Sequence, residues 1–191
     1  TNPAFVTPVG IPFFVFNQNI WAMGNRTRVA PHVYWFGRFS VLAEYMNFSR
    51  ELTDGRVSGQ STQTAYYVNM SYWLTGERDF VGNGFQSYST IEPLRPFIPS
   101  RGEYGPGAWQ LAGQWSEFNT GTADFARGFV DRTRSTNQNR NLQIGVNWWP
   151  NKYTRFSLDW VWSGFNNPIP VNGPMPISQY NTAWFRFAMF F

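Results

Sequence analysis

The end of the chain alternates between two kinds of side chain. From Tyr180 onward, Asn181, Ala183, Phe185, Phe187, Met189 and Phe191 share one parity, while Thr182, Arg186 and Ala188 lie on the other. Successive residues of a strand point to opposite faces, so a period of two makes one apolar face and one that is free to be polar. An apolar file ending on a terminal Phe is expected of the last strand of an outer-membrane barrel, whose lipid face must be apolar and whose lumen need not be.

The same period recurs upstream. Leu142, Ile144, Val146 and Trp148 alternate with Gln143, Gly145 and Asn147, and Phe156, Leu158, Trp160 and Trp162 alternate with Arg155, Ser157 and Asp159. Both apolar files are even-numbered, so the two strands share faces only if opposed residue numbers sum to an even number. A loop of Pro150, Asn151 and Lys152 meets this condition, pairing Val146 with Phe156 and Ile144 with Leu158. Large apolar cross-strand pairs of this kind are favourable. Trp109, Leu111 and Trp115 mark a strand over 107–118, and Tyr66, Val68, Met70, Tyr72 and Leu74 mark another. A turn at Phe36, Gly37 and Arg38 aligns Val29, Val33 and Trp35 with Phe39, Val41, Ala43 and Tyr45. With a weaker segment over 11–17, the reading is all-β: an antiparallel transmembrane β-barrel domain over 1–191 with about eight strands.

Composition narrows the alternatives. No run approaches the ~18 apolar residues of a spanning helix. Aromatic side chains make up 20 % of the chain, which excludes disorder. There is no Cys and His32 is the one His, so thiol chemistry and a multi-His metal site are excluded, and a Ser–His–Asp set would need His32. No cofactor is expected. The net charge of +4 is carried by Arg, since Lys152 is the one Lys. The chain begins at Thr1 with no charged segment leading into an apolar one; if there was a signal peptide it has been removed, or the chain is part of something longer.

If the C-terminus is periplasmic, counting strands backwards puts 149–152 and 36–38 on the periplasmic side and 49–61, 119–138 and 164–178 outside. Short periplasmic turns and longer external loops are the barrel rule. The long periplasmic-side connection 76–106, with Pro93, Pro96 and Pro99, is the exception. Parity makes Arg155, Arg186, Asp159, Glu44, Asn147 and Gln143 the pore-lining candidates, and Phe185, Phe187, Met189, Phe191, Trp160 and Trp162 the lipid-facing ones. Arg155 and Arg186 either attract anions or are pinned by Asp159, Glu44 or another wall carboxylate. Glu77 and Arg78 suit a turn salt bridge or a subunit contact, and Arg140 suits lipid phosphates or plain interfacial snorkelling. Eight strands close as a small filled barrel or form half of a sixteen-stranded, water-filled one. The small polar residues of the wall favour the wetted barrel.

Tyr72-Trp73-Leu74-Thr75-Gly76-Glu77-Arg78 resembles the tyrosine–aromatic–leucine–threonine–glycine–glutamate signature of the phosphate-selective porin O and P family. Gly107-Ala108-Trp109-Gln110-Leu111 with Trp115-Ser116 resembles that family's next strand, where a glutamate usually stands at the place of Gln110. The stretch from Asn141 to Asn151, continuing through Arg155, resembles its penultimate hairpin. The resemblance runs from about Arg28 to Phe191 and maps the chain to a C-terminal half. It implies a sixteen-stranded trimeric porin of the bacterial outer membrane. The implied role is passive diffusion of small, preferentially anionic solutes such as phosphate. Expected partners are membrane lipids including lipopolysaccharide, small anions and two further copies of the chain, with no nucleic acid. The scarcity of Lys departs from a lysine-rich phosphate funnel. A structural or anchoring barrel within a larger membrane assembly is the alternative, and a barrel enzyme lacks a catalytic set.

Overall fold

A computed structural model describes residues 4–79, 91–171 and 175–190. Its strands are β1 (Ala4–Val6), β2 (Pro12–Val15), β3 (Trp21–Val29), β4 (His32–Trp35), β5 (Phe39–Thr53), β6 (Ser58–Trp73), β7 (Phe97–Ile98), β8 (Glu103–Tyr104), β9 (Ala108–Thr120), β10 (Gln138–Asn151), β11 (Thr154–Pro170) and β12 (Pro176–Met189). The one α-helix described, α1, is a single turn at Ala123–Ala126. One antiparallel sheet runs in the order β12-β11-β10-β9-β6-β5-β3, and β4 pairs with β5 beyond the end of β3. Long strands therefore neighbour one another in chain order, as a meander.

β3 and β4 keep one register against β5, with Val29 opposite Asn47 and Val33 opposite Ala43. Pro31 between them has no N–H to give, while its carbonyl accepts the Tyr45 N–H at 3.0 Å. They are one edge strand interrupted at a proline.

The expected strand over 11–17 is a strand, but it does not join this sheet. β2 pairs with β1 in a separate hairpin, with Phe5 opposite Phe14. Phe13, Phe14, Val15 and Phe16 are all buried, so the segment lacks the alternation a two-faced wall needs. A continuous apolar run calls for burial on both sides.

Both expected tight hairpins keep their faces, with the register displaced by two residues. Trp35 lies opposite Val41, and Val146 lies opposite Leu158. At the second hairpin Asn151 Oδ1 accepts the Tyr153 N–H at 2.9 Å and the Thr154 hydroxyl at 3.2 Å, which moves the tip to Lys152 and Tyr153. At the first, Ser40 Oγ accepts the Gly37 N–H at 3.2 Å and widens the turn. Two of the expected external loops shorten because their strands run on. β5 and β6 continue to Thr53 and Ser58, and Asp54 Oδ1 caps the turn by accepting N–H groups of Val57 at 2.7 Å and Arg56 at 2.8 Å. Those two donors hold the Asp54 carboxyl below its ordinary range. β11 reaches Pro170 and β12 starts at Pro176, whereas 121–137 stays a long loop around α1.

The sheet has an apolar face and a polar one, and the register carries each across the strands in rows. Val41, Met70, Gly113, Ile144, Trp160 and Ala183 form one apolar row. Leu158 is 58 % and Phe185 70 % exposed on that face, while Ser157 and Asp159 on the other are 2 % and 5 % exposed. At the end carrying the short turns, Trp109, Trp148, Phe156 and Phe187 form an aromatic ladder across four strands, with successive centroids 5.5, 5.4 and 5.0 Å apart. Both indole N–H groups donate to the Pro106 carbonyl, at 3.0 and 2.9 Å.

Gly107 makes that convergence possible. Its φ is +72°, and a Cβ there would lie 2.5 Å from the Trp149 carbonyl oxygen and 2.6 Å from Trp148 Nε1. Gly107→Ala is therefore expected to cost at least the ~1–3 kcal/mol of a non-glycine residue held in the left-handed region. Denaturant unfolding of the folded protein in detergent measures it, and an unchanged midpoint would contradict the packing described.

Candidate functional site

The polar face is built from alternate residues of the long strands. Across its middle, Ser157 Oγ donates to Asn147 Oδ1 at 2.6 Å and Asn147 Nδ2 donates to Gln110 Oε1 at 3.1 Å, a chain that runs over three strands. Arg186 lies opposite Ser157 in that row and pairs diagonally with Asp159 at 2.5 Å. Gln143 lies between Gln114 and Val161 in the register. A cleft on this face is lined by Ser71, Asp79, Gln110, Gln114, Gln143 and Asp159. Asp79 is held there by the Trp73 indole N–H at 2.9 Å and the Ser71 hydroxyl at 3.1 Å.

The six pore-lining candidates share the polar face but not one spot. Glu44 sits on β5, opposite His32, and accepts the Tyr67 hydroxyl at 2.8 Å. It is several strands from Arg155 and Arg186, so of the two named carboxylates only Asp159 pins an arginine. The Arg155 guanidinium lies 5.8 Å from the Trp149 ring centre and 5.9 Å from that of Phe190. Trp160, Trp162, Phe185, Phe187 and Met189 lie on the opposite, apolar face by register. Phe191 falls outside the described residues.

Glu77 and Arg140 have structural partners. Glu77 is 6 % exposed, accepts the Thr75 hydroxyl and takes the Leu94 N–H at 3.1 Å, which ties the long connection to the end of β6. Arg140 meets Glu117 at 3.4 Å, and Glu117 also accepts from Tyr66, Asn119 and Gln138.

Two features of the face escape the alternation analysis. The first is a body seated at the loop end. Phe13, Phe14 and Phe16 of the β1–β2 hairpin form one cluster with Leu52, Phe118 and Phe165 of the wall and with Phe129 and Val130 of the long loop. Backbone bonds Thr136 N–H to Phe13 O at 2.8 Å, Asn17 N–H to Phe129 O at 2.9 Å and Asp131 N–H to Val15 O at 3.0 Å join the hairpin to that loop. Tyr180 of β12 reaches Thr7 at 2.8 Å. The second feature is an arginine column on the strands beside this body. Arg26 lies directly opposite Arg50, and Arg28 opposite Phe48. The Arg50 guanidinium sits 4.6 Å from the Phe16 ring centre and 5.2 Å from that of Phe48, and the Arg28 guanidinium lies 5.4 Å from the Phe48 ring centre. Aromatic faces hold guanidinium groups in place without cancelling their charge. Among the described residues the ion pairs are Arg140 with Glu117 and Arg186 with Asp159, so none of the three column arginines is neutralised in that way. Arg26 and Arg28 share a parity, the one trace of the column that the sequence offers.

The sheet thus presents a polar wall, a partly covered loop end and guanidinium groups held against aromatic rings. No curated protein matches the sequence. The profile of a porin family, described as phosphate-selective porin O and P, matches residues 16–167, which takes in every long strand from β3 to most of β11. The chain belongs to the phosphate-selective porin O and P family.

Proposed function

We propose that this chain forms part of the wall of an outer-membrane porin and that the wall's polar face borders a passive pathway for small anions, phosphate among them. The observation that carries the reading is the pairing of two unlike faces with two open edges. Among the described residues β12 pairs only with β11, and the β3/β4 strand only with β5. An open edge in hydrocarbon leaves backbone groups unsatisfied at several kcal/mol each, so those edges require further strands. A sixteen-stranded barrel assembled as a trimer supplies them and is consistent with the family. The apolar face then meets lipid or a neighbouring subunit, with lipopolysaccharide at the loop end. The segment 76–106 lies on the periplasmic side of this single barrel domain.

Charge on the polar face favours anions, and it is concentrated away from the last two strands. Arg186 is compensated by Asp159, and Arg155 with the column of Arg26, Arg28 and Arg50 outnumbers Glu44 and Asp79, the carboxylates of that face outside the ion pairs. A positive wall beside low-dielectric protein raises the local anion concentration, and salt screens it over a Debye length of about 8–10 Å.

Reversal potentials of reconstituted channels across a KCl gradient test this. Anion preference is expected, weaker in high salt and markedly reduced by changing Arg26, Arg28 and Arg50 together to Gln. Cation preference in the wild type would overturn the assignment. Silence of a properly inserted oligomer would favour the anchoring barrel.

Two further outcomes follow from the faces. Leu158→Arg, in the middle of the apolar run of β11, is expected to cost about 2–4 kcal/mol in a bilayer. Arg186→Gln is expected to cost about 1–3 kcal/mol, because it strands a buried carboxylate. Asp159→Asn should cost less, since the Arg186 side chain is half exposed and water can take it over. Urea unfolding in lipid vesicles measures all three, and equal costs for the Arg186 and Asp159 variants would contradict the asymmetry.

A further inference from the structure

Among the described residues three buried polar side-chain atoms lack a hydrogen-bond partner: Arg50 Nε, Gln63 Oε1 and Asp124 Oδ1. All three belong to one place, where α1 of the loop-end body meets the wall. Asp124 is 2 % exposed, and its Oδ2 accepts the Ser61 hydroxyl at 2.6 Å and Gln63 Nε2–H at 3.2 Å. Gln63 Nε2 also reaches Ser61 Oγ at 2.5 Å, and Arg50 lies opposite Ser61 in the β5–β6 register. An ionised carboxylate beside a primary amide can use only the amide N–H. The remaining carboxylate oxygen and the amide oxygen are both acceptors, and neither can satisfy the other.

We propose that Asp124 is held there as a neutral carboxylic acid whose Oδ1–H donates to Gln63 Oε1. This closes a two-bond acid–amide ring that latches the loop-end body to β6. One proton removes two of the three unpartnered atoms, and the bond already present between Gln63 Nε2 and Asp124 Oδ2 is the other half of the ring.

The charged groups around the site are all cationic. Arg50 of β5 and Arg127, just after α1, draw Asp124 toward its ionised form, while Arg26 stands beyond Arg50 on β3. Burial outweighs them together with the Ser61 and Gln63 hydrogen bonds, and pushes the carboxyl above its ordinary range. Arg127 is half-buried and also donates to the Gln60 carbonyl at 2.9 Å. A carboxyl whose docked pKa exceeds its free value binds a proton more tightly when docked. The latch is thus strongest in acid and weakens as pH rises through the raised value.

Infrared difference spectra of the full-length protein in detergent, titrated from mildly acidic to mildly alkaline buffer, test the proton directly and do not depend on whether the pore conducts. The expected result is a protonated-carboxyl carbonyl band that persists above the usual carboxylate range and is lost in Asp124→Asn. That variant donates permanently from its own amide to Gln63 Oε1, so protection of 121–137 from proteolysis should match the acid form of the wild type and lose its pH dependence. Gln63→Leu, which removes the ring partner but not the burial, should weaken protection of the acid form while the pH dependence that comes from burial remains. Absence of the Asp124 band at every pH, as a water-bridged carboxylate would give, or protection in Asp124→Asn that still follows pH as in the wild type, would overturn the proposal.

Discussion

A backbone amide inside a hydrocarbon layer has no water to bond, so a strand that crosses one must give every N–H and C=O to a neighbour. That single requirement organises the sheet. Each long strand is paired along its length with the next long strand in the chain, and pairing fixes which side chains share a row. Because the side-chain period is two, an even displacement of register leaves every residue on its face, while an odd one would turn the whole apolar file toward the polar wall. Both tight hairpins are displaced by two from the simplest loop geometry and lose nothing. Asn151 can accept from Tyr153 and Thr154 and move the tip because parity, not tip position, is what burial selects.

The two ends of the sheet solve different problems. At the short-turn end the Trp109–Trp148–Phe156–Phe187 ladder sits where a membrane interface would favour rings with one apolar and one polar side. Its indole N–H groups are satisfied by one carbonyl from the long connection, and Glu77 ties the far part of that connection back to β6. At the loop end the polar face is covered by a phenylalanine-rich hairpin that meets the wall through its rings and through the Thr7 hydroxyl at Tyr180. Its backbone is satisfied by the 121–137 loop, so hairpin and loop behave as one body, which touches β6 through polar atoms at Asp124 and at Arg127.

The period-two files of 142–148, 156–162 and 183–189 were legible because one face had to be apolar and the other was free to be polar. The Tyr72–Glu77 signature and the 141–151 hairpin carried the family. Other features left no comparable trace. Residues 11–17 read as a weak strand of the wall because Phe13 and Val15 suggest alternation, and only the burial of Phe14 and Phe16 as well shows that both faces are covered. Strand extensions such as 164–170 carry Asn166, Asn167, Pro168 and Pro170, so propensity argued for loop where ladder bonds to neighbours extend the strand. Arg186 and Asp159 were legible as polar-face residues by parity, but their pairing depends on a cross-strand diagonal that parity does not supply.

That diagonal also decides where the electrostatic work of the wall is done. A guanidinium bonded to a carboxylate contributes little field beyond its immediate surroundings, because the two opposite charges cancel at distances large compared with their 2.5 Å separation. Two like charges placed directly opposite each other, as Arg26 and Arg50 are, repel, and an unsupported pair would destabilise the strands that carry it. Here Phe16 and Phe48 hold the Arg50 member of the pair, since aromatic faces attract its guanidinium while leaving its net charge intact. Phe16 comes from the hairpin body, so the residue that helps hold Arg50 also belongs to the element that covers the loop end. Docking of that body and the position of the arginine charge are therefore coupled through one ring. A change that loosens the hairpin is expected to move the charge as well as the cover.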